Sequence, residues 1–448
     1  MLELLDLRER GERLEPTAFE IDPTVADTVR DILGRVRSEG DAALLELAER
    51  FDGARLDSLV VSDEELAAAE LDTPTDMKNA LDALIERLRD LHTRQLPREW
   101  TDERDGVTFG EIVRPLRAVG CYVPGGRAVY PSSVCMTVVP AVVAGVERIV
   151  VCTPPQPDGS LPPAVRYAAL KAGATTVIKS GGAQAIGALA HGTDAVPRVD
   201  RIVGPGNAYV TEAKRQVSGV VGVDGLAGPS EVTVVAGADA DPLLCAVDLI
   251  AQAEHDPDSI THFVTTDPAL VDAVERALAG ELVTAGRRDI VEAALRHARA
   301  IVVRNEEQAA EVVDDLAAEH LLVLLPDPRT FLARIRNAGA IFLGAWTAVP
   351  FGDYGVASNH VLPTAGTARF SSGLRSADYV TVRSVVEMTA EAAARLAPEA
   401  STIARGESFV GHARAMDVRA TLTASGSAGP PTEDGPRTEE PAAGKAQP

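Results

Sequence analysis

Apolar residues recur every three or four positions in VADTVRDILGRVRSEGDAALLELAERFD (25 to 52) and in MKNALDALIERLRDLHTRQL (77 to 96), with charges between them. That period belongs to helices packed on one side, so the first hundred or so residues are expected to form a helical lead-in. From about residue 118 the pattern changes to short β-rich runs, each followed by a Gly-rich turn and an Ala-rich helical stretch: AVGCYVPGG, RIVVCTPP, TVIKSGGAQAIGALA and RIVGPGNAYVTEAKR. Between 232 and 344 the runs VTVVAG, HFVTTD, AIVVRN, LLVLLPD and AIFLG alternate with helical segments such as PALVDAVERALAG and EEQAAEVVDDLAAEH. Strands alternating with helices predict parallel sheets with right-handed crossovers, here in two units.

The expected fold is therefore α/β, with two incomplete Rossmann-like, mostly parallel-sheet domains, a helical N-terminal lead-in and a small C-terminal helical appendage. The expected division is an N-terminal arm (1–20), a first αβ domain from 21–117 plus 231–370, and a Rossmann-like domain (118–230). The appendage covers 371–424: 376 to 422 opens β-rich and then turns to helix formers. Residues 425–448 are Pro, Gly, Ala and Glu without apolar periodicity and are expected to be a disordered tail.

Charge narrows the partners. The chain has 448 residues and a formal net charge of -23. An excess of carboxylates opposes binding to nucleic acid or an anionic membrane. With no uninterrupted apolar run of spanning length and a charged start, MLELLDLRERGERLE, a cytoplasmic enzyme with a small substrate is expected. Cys121, Cys135, Cys152 and Cys245 form no CxxC pair, which predicts neither a disulfide framework nor a thiolate zinc site.

Candidate chemistry falls on the turns and on the histidines. GGAQ (181 to 184) and GPGN (204 to 207) each join a strand to a helix, as YVPGGRAVYP (122 to 131) follows another. Glycine there lets the backbone approach a ligand, and a helix N-terminus favours an anion such as a pyrophosphate. Neither turn is a GxGxxG fingerprint, and doubly wound folds place Gly at such turns in any case. Of eight histidines, four stand near an acid or amide: Gln252 with His255 in AQAEHD, Glu319 with His320, Asp353 with His360, and Glu407 with His412. Gln252 and His255 share a helical face, as metal ligands or a polar surface pair would. Imidazole, carboxylate and amide donors suit Zn, with Mn or Co as alternatives.

Glu319 and His320 fall where a helix meets the run LLVLL, where neighbouring side chains diverge. Separate acid and base roles then fit better than shared ligation, with His320 titrating nearest neutrality. Cys121 and Cys152, near the Gly turns, leave a thiolate mechanism open beside the plainer reading as core thiols.

In their order along the chain, YVPGG, GGAQAIGALA, VGPGNAYVTEAKR, AGPSEV, QAEHDPDS, AEHL, GDYGVASNHVLPT and GESFVGH resemble the histidinol dehydrogenase family over residues 20 to 420. The resemblance implies a zinc-dependent homodimer, with one Zn2+ per subunit, that oxidises L-histidinol through L-histidinaldehyde to L-histidine with two NAD+. It implies zinc on Gln252, His255, Asp353 and His412, acid–base work by Glu319 and His320, and NAD+ contacts at Tyr122, Gln184 and Asn207. Substrate contacts would be Ser230, Gln252, His255, His320, Asp353, Glu407 and His412, with His360 a weaker candidate. Glu407 and His412 would serve the partner subunit's site, and the cysteines would have no covalent role. The stretch 216–227 looks short against the family pattern and bears on loop geometry only. Rival readings are a dehydrogenase of another polar alcohol such as a sulfonated diol, a zinc hydrolase, and a non-enzymatic metal-binding protein.

Overall fold

The structure is a computed structural model that describes residues 2–9, 13–15, 21–126, 128–356 and 358–424; the tail expected at 425–448 lies outside the described residues. The chain opens with β1 (Glu3–Asp6) and runs through α1 (Pro23–Glu39), α2 (Asp41–Asp52), α3 (Asp63–Asp72) and α4 (Thr75–Arg94) into β2 (Trp100–Arg104) and β3 (Val107–Pro115). Then follow β4 (Ala118–Tyr122), α5 (Pro131–Ala144), β5 (Arg148–Thr153), α6 (Pro163–Ala172), β6 (Thr176–Lys179), α7 (Gly182–His191), β7 (Arg201–Val203), α8 (Ala208–Val217) and β8 (Gly222–Val223). The next series is β9 (Glu231–Ala236), α9 (Pro242–Ala253), β10 (Ile260–Thr265), α10 (Pro268–Glu281), α11 (Arg288–Ala294), β11 (Arg299–Val302), α12 (Glu306–Leu316), β12 (His320–Leu324), α13 (Pro328–Leu332), β13 (Ala340–Leu343) and α14 (Pro350–Tyr354). The chain closes with β14 (Val380–Met388), α15 (Ala390–Gly406) and α16 (Val410–Ala424).

These elements form two compact units, Met1–Leu96 with Pro115–Thr381 and Pro97–Arg114 with Val382–Pro448. The larger unit holds two parallel sheets, β6-β5-β4-β7-β8 and β1-β11-β10-β9-β12-β13. Every residue of β4, β9, β10 and β12 is buried, which is why those strands read as unbroken apolar runs rather than alternating ones. The N-terminal arm contributes an edge strand, since Glu3–Asp6 pairs in parallel with Arg299–Val302.

Three expectations change. The helical pattern from 25 to 52 is broken at Gly40, whose φ of 59° ends α1 and begins α2. The lead-in helices do not group with 231–370: Val29, Leu33, Val36, Leu44 and Leu47 pack with Tyr122, Val150 and Ile178, and Leu81, Leu84 and Leu88 with Val119 and Val151. Each such side chain contributes about 1.5–3 kcal/mol by leaving water, so the apolar stripes of α1, α2 and α4 close the five-stranded sheet. The segment 97–114 belongs with the C-terminal unit, where β2 and β3 form an antiparallel hairpin in the sheet β14-β3-β2. In that unit α15 and α16 pack together, with Ser401 Oγ donating to the Ala413 carbonyl at 3.2 Å. Among the described residues no helix is long and apolar enough to cross a membrane.

Candidate active site

The carboxyl edge of the five-stranded sheet gathers the three glycine turns. Tyr122 ends β4 and is buried, and its hydroxyl accepts the Gly182 N–H at 3.1 Å. Gln184 is buried in the first turn of α7, its amide oxygen folded back to within 2.7 Å of where a Cβ on Gly182 would stand. Asn207 caps α8, its Oδ1 accepting the Tyr209 and Val210 N–H groups at 3.1 and 3.2 Å. At Gly204 a Cβ would stand 2.0 Å from the Tyr122 carbonyl oxygen, so only glycine lets these two turns meet. Sequence reading missed the pair that fixes this turn. Lys214 donates to the Gly204 carbonyl and to Asp224 at 2.6 Å, while Asp224 accepts the Gly204 N–H at 2.7 Å.

The candidate acid–base pair, Glu319 and His320, lies at the amino edge of the six-stranded sheet, where β9 and β12 run side by side and His320 pairs with Val232. The helix expected to reach 320 stops at Leu316, because Ala317 turns left-handed at φ 46° and Gly339 and Ala340 donate to the carbonyls of Ala318 and Glu319. Glu319 therefore enters just before the strand, and its Oε2 comes within 3.5 Å of His320 Nδ1 although the two are neighbours in sequence.

Glu231, next to Ser230 at the start of β9, ties this centre together. Its N–H donates to Glu319 Oε2 at 2.9 Å and its Oε2 accepts the Glu319 N–H at 3.4 Å. Its Oε1 accepts the Ala365 N–H at 3.0 Å, and its carbonyl accepts from His320 Nδ1 at 3.0 Å. A carbonyl only accepts, so Nδ1 carries the proton and Nε2 is left as the basic nitrogen. Burial pushes the Glu319 carboxyl well above the usual carboxylate range, and Glu231 up to about 7. His320 does not titrate near neutrality as the sequence suggested. Burial pushes it down to about 4, leaving a neutral base.

Gln252 and His255 sit where α9 ends and the chain turns into β10. Gln252 is buried and His255 exposed, one turn apart, with the His255 N–H donating to the Gln252 carbonyl at 3.3 Å. The Gln252 side-chain nitrogen is buried without a hydrogen-bond partner. The opposite amide orientation would put Oε1 there, an unsatisfied oxygen donor of the kind a cation takes. Asp353, on α14, is buried and pushed up to about 7 by burial alone, which the positive charge of a cation would relieve. The amide, imidazole and carboxylate present thus fit zinc, although among the described residues no three His, Cys, Asp or Glu side chains of one chain cluster as a metal site.

His360 Nδ1 is 3.7 Å from Asp353 Oδ1, and its Nε2 is 3.1 Å from Ser133 Oγ on α5. Burial pushes His360 down to about 4, with His320 and His255 nearby adding to the effect. The loop carrying it is anchored by Asn359, which donates to the Met136 carbonyl at 2.8 Å, and by Thr364, whose Oγ1 accepts the Gly228 N–H at 2.6 Å. Ser133, Glu231 and Asn359 escaped sequence reasoning, although Glu231 and Asn359 stand beside quoted candidates.

Glu407 and His412 belong to the second unit. Glu407 ends α15 and is exposed, and the exposed His412 on α16 lies 5.1 Å from the Phe409 ring. All four cysteines are free and buried, and burial pushes Cys121 up to about 12 and Cys152 upward as well. Such thiols stay protonated, so the plain reading as core residues stands.

Two parallel sheets, one gathering the three glycine turns and the other holding the buried Glu231, Glu319 and His320, define an α/β fold with two candidate sites. The family model described as histidinol dehydrogenase matches residues 17–420. The chain is 46% identical to histidinol dehydrogenase of Halalkalibacterium halodurans (88% of this chain, 93% of that one) and 45% identical to that of Pseudomonas aeruginosa (89% and 91%). The crystal structure of histidinol dehydrogenase from Elizabethkingia anophelis superposes with a TM-score of 0.90 at 31% identity, over 94% of this chain and 98% of that one. The chain belongs to the histidinol dehydrogenase family.

Proposed function

We propose that the protein is a cytoplasmic enzyme that oxidises L-histidinol through L-histidinaldehyde to L-histidine with two NAD+, the last steps of histidine biosynthesis. The observation that carries this reading is the grip of Glu231 on both Glu319 and His320, which holds a neutral imidazole beside a buried carboxyl. His320 Nε2 takes the hydroxyl proton as hydride leaves the adjacent carbon. Glu319, once it has given up the proton that burial favours, takes a proton from the water that adds to the aldehyde, and the hydrated aldehyde loses the second hydride. A carboxyl raised by burial is a stronger base at that step than an exposed one.

Gln252, His255 and Asp353, with His412 from a second copy of the chain, are the residues that would hold zinc, and Ser230 and Glu407 would complete the substrate pocket. When bound, Zn2+ supplies a Lewis acid that anchors the substrate's nitrogens, and NAD+ supplies the hydride acceptor. Tyr122, Gln184 and Asn207 shape the turns on which the dinucleotide would lie.

A homodimer is supported by the small second unit, which exposes Val382, Val385, Val386, Met388, Ile403, Phe409 and Val410. So many exposed apolar side chains on one small unit are surface that a second copy of the chain would bury. The test is NADH release from the zinc-loaded protein with histidinol. Two NADH per substrate are expected. One NADH would replace this reading with oxidation of an alcohol that stops at the aldehyde, and none would overturn it.

A further inference from the structure

The edge of the five-stranded sheet opposite the glycine turns holds an open cavity of about 710 Å³ lined by Arg117, Arg148, Arg198 and Arg201. Their convergence follows from the strand register. Ala118 pairs with Arg148 and Val119 with Arg201, so β5, β4 and β7 begin side by side, and Arg117 precedes β4 by one residue. Neighbouring strands stand roughly 4.8 Å apart, which crowds these guanidinium stems. The facing wall is the turn from Ser218 to Gly222. Arg198 donates to the Val220 carbonyl there at 3.3 Å, and a Cβ on Gly222 would stand 3.2 Å from Arg201 Nε.

Two carboxylates offset only part of this cluster: Asp200 itself lines the cavity, and Asp378 pairs with Arg201. Asp200 accepts the backbone N–H groups of Arg117 and Ala118 at 3.1 and 3.0 Å, and Asp378 lies 3.6 Å from Arg201. Among the described residues Arg117, Arg148 and Arg198 have no carboxylate within ion-pair distance. In a chain with net charge -23, three unpaired cations around one cavity run against the overall balance and repel one another.

We propose that this cavity binds a small polyanion carrying at least two linked phosphate groups. The cavity volume lies in the range of roughly 300–1,000 Å³ typical of small-ligand sites, and guanidinium forks match phosphate oxygens two at a time. A single carboxylate would satisfy one arginine and leave the others unpaired. From Ala118, which lines the cavity, to Tyr122 the strand β4 rises roughly 13 Å, so the polyanion does not share the glycine turns.

The test is calorimetric titration of inorganic pyrophosphate into the full-length protein at low ionic strength. One-site binding is expected, weakened at least tenfold in Arg117→Glu/Arg148→Glu with an unchanged melting temperature. Arg148→Ala alone, a milder change at an exposed position, is expected to weaken it several-fold. ADP is the second probe, read as the binding lost in Arg117→Glu/Arg148→Glu so that any ADP held at the glycine turns cancels: a larger loss than for pyrophosphate identifies a nucleotide, and an equal loss identifies the diphosphate alone as the recognised group. Absence of pyrophosphate binding, or equal affinity in wild type and both variants, overturns the proposal.

Discussion

Glu231 and Glu319, 88 residues apart in sequence, each donate a backbone N–H to the other's carboxylate, at 2.9 and 3.4 Å. Both carboxyls are buried and both are pushed upward, so at neutral pH this neighbourhood retains protons that exposed acids would lose. Replacing Glu231 by Gln keeps the shape but puts an amide where the Glu319 N–H needs an acceptor. Turnover is expected to fall by about 10–100-fold, the scale on which residues that orient others act, with NAD+ affinity near wild type. A conserved turnover number in steady-state kinetics would show that Glu231 only fills space. Glu231→Ala also strands the Ala365 N–H, at about 1–3 kcal/mol per unpaired group, and its melting temperature should drop.

His320 is poised by the same residue. Its Nδ1 proton is held by the Glu231 carbonyl, and burial keeps the ring neutral down to about pH 4. The sign follows directly: a depressed pKa means the base form is present at neutral pH and is lost as pH falls through about 4. Turnover should therefore show no loss from His320 protonation between pH 8 and 5. An acid limb near 6.5 that disappears in His320→Asn would contradict this. His320→Asn itself should lower turnover by about 10²–10⁴ while the metal content is unchanged.

Much of the fold was legible because buried parallel strands announce themselves as apolar runs, and β9, β10 and β12 fall where VTVVAG, HFVTTD and LLVLL predicted them. That Gln252 stands beside His255, and Glu319 beside His320, was legible because each pair is local in sequence, though the 3.5 Å approach of the Glu319 carboxylate to the His320 ring was not. Strand order was not. That β9 lies beside β12 rather than at an edge is a property of packing, and only this neighbourhood brings Glu231 to Glu319. The placement of α1, α2 and α4 was hidden for a similar reason: an amphipathic stripe says that a helix packs, not which sheet it covers. Ser133 gave no signal at all, because its link to His360 spans 227 residues and joins α5 to a loop.

The unpartnered amide of Gln252 and the buried Asp353 make the zinc reading testable by composition rather than by rate. His255→Asn and Gln252→Ala should each lower bound zinc to well under half of the wild-type content after dialysis, measured by elemental analysis. NAD+ binding, proposed at turns on the edge of the other sheet, should persist in both. Full zinc content in both variants would remove these residues from the ligand set.

Asp52, at the end of α2, has a buried Oδ2 without a hydrogen-bond partner, and burial pushes its carboxyl from 3.8 up to about 6. A raised pKa means that the folded state favours the protonated form. The stability from this preference is complete below 3.8 and is lost as pH rises through about 6. At pH 8 the ionised side chain is a net cost, and Asp52→Asn removes the charge while keeping the shape. The variant should be more stable than wild type at pH 8 by about 1–2 kcal/mol, less than the full shift implies because the residue is partly solvated. That advantage should shrink steadily through pH 6 and nearly vanish by pH 4. Thermal melts at the three pH values decide it: an advantage that does not depend on pH would point to packing rather than charge, and a loss at pH 8 would mean that the ionised carboxylate has a partner.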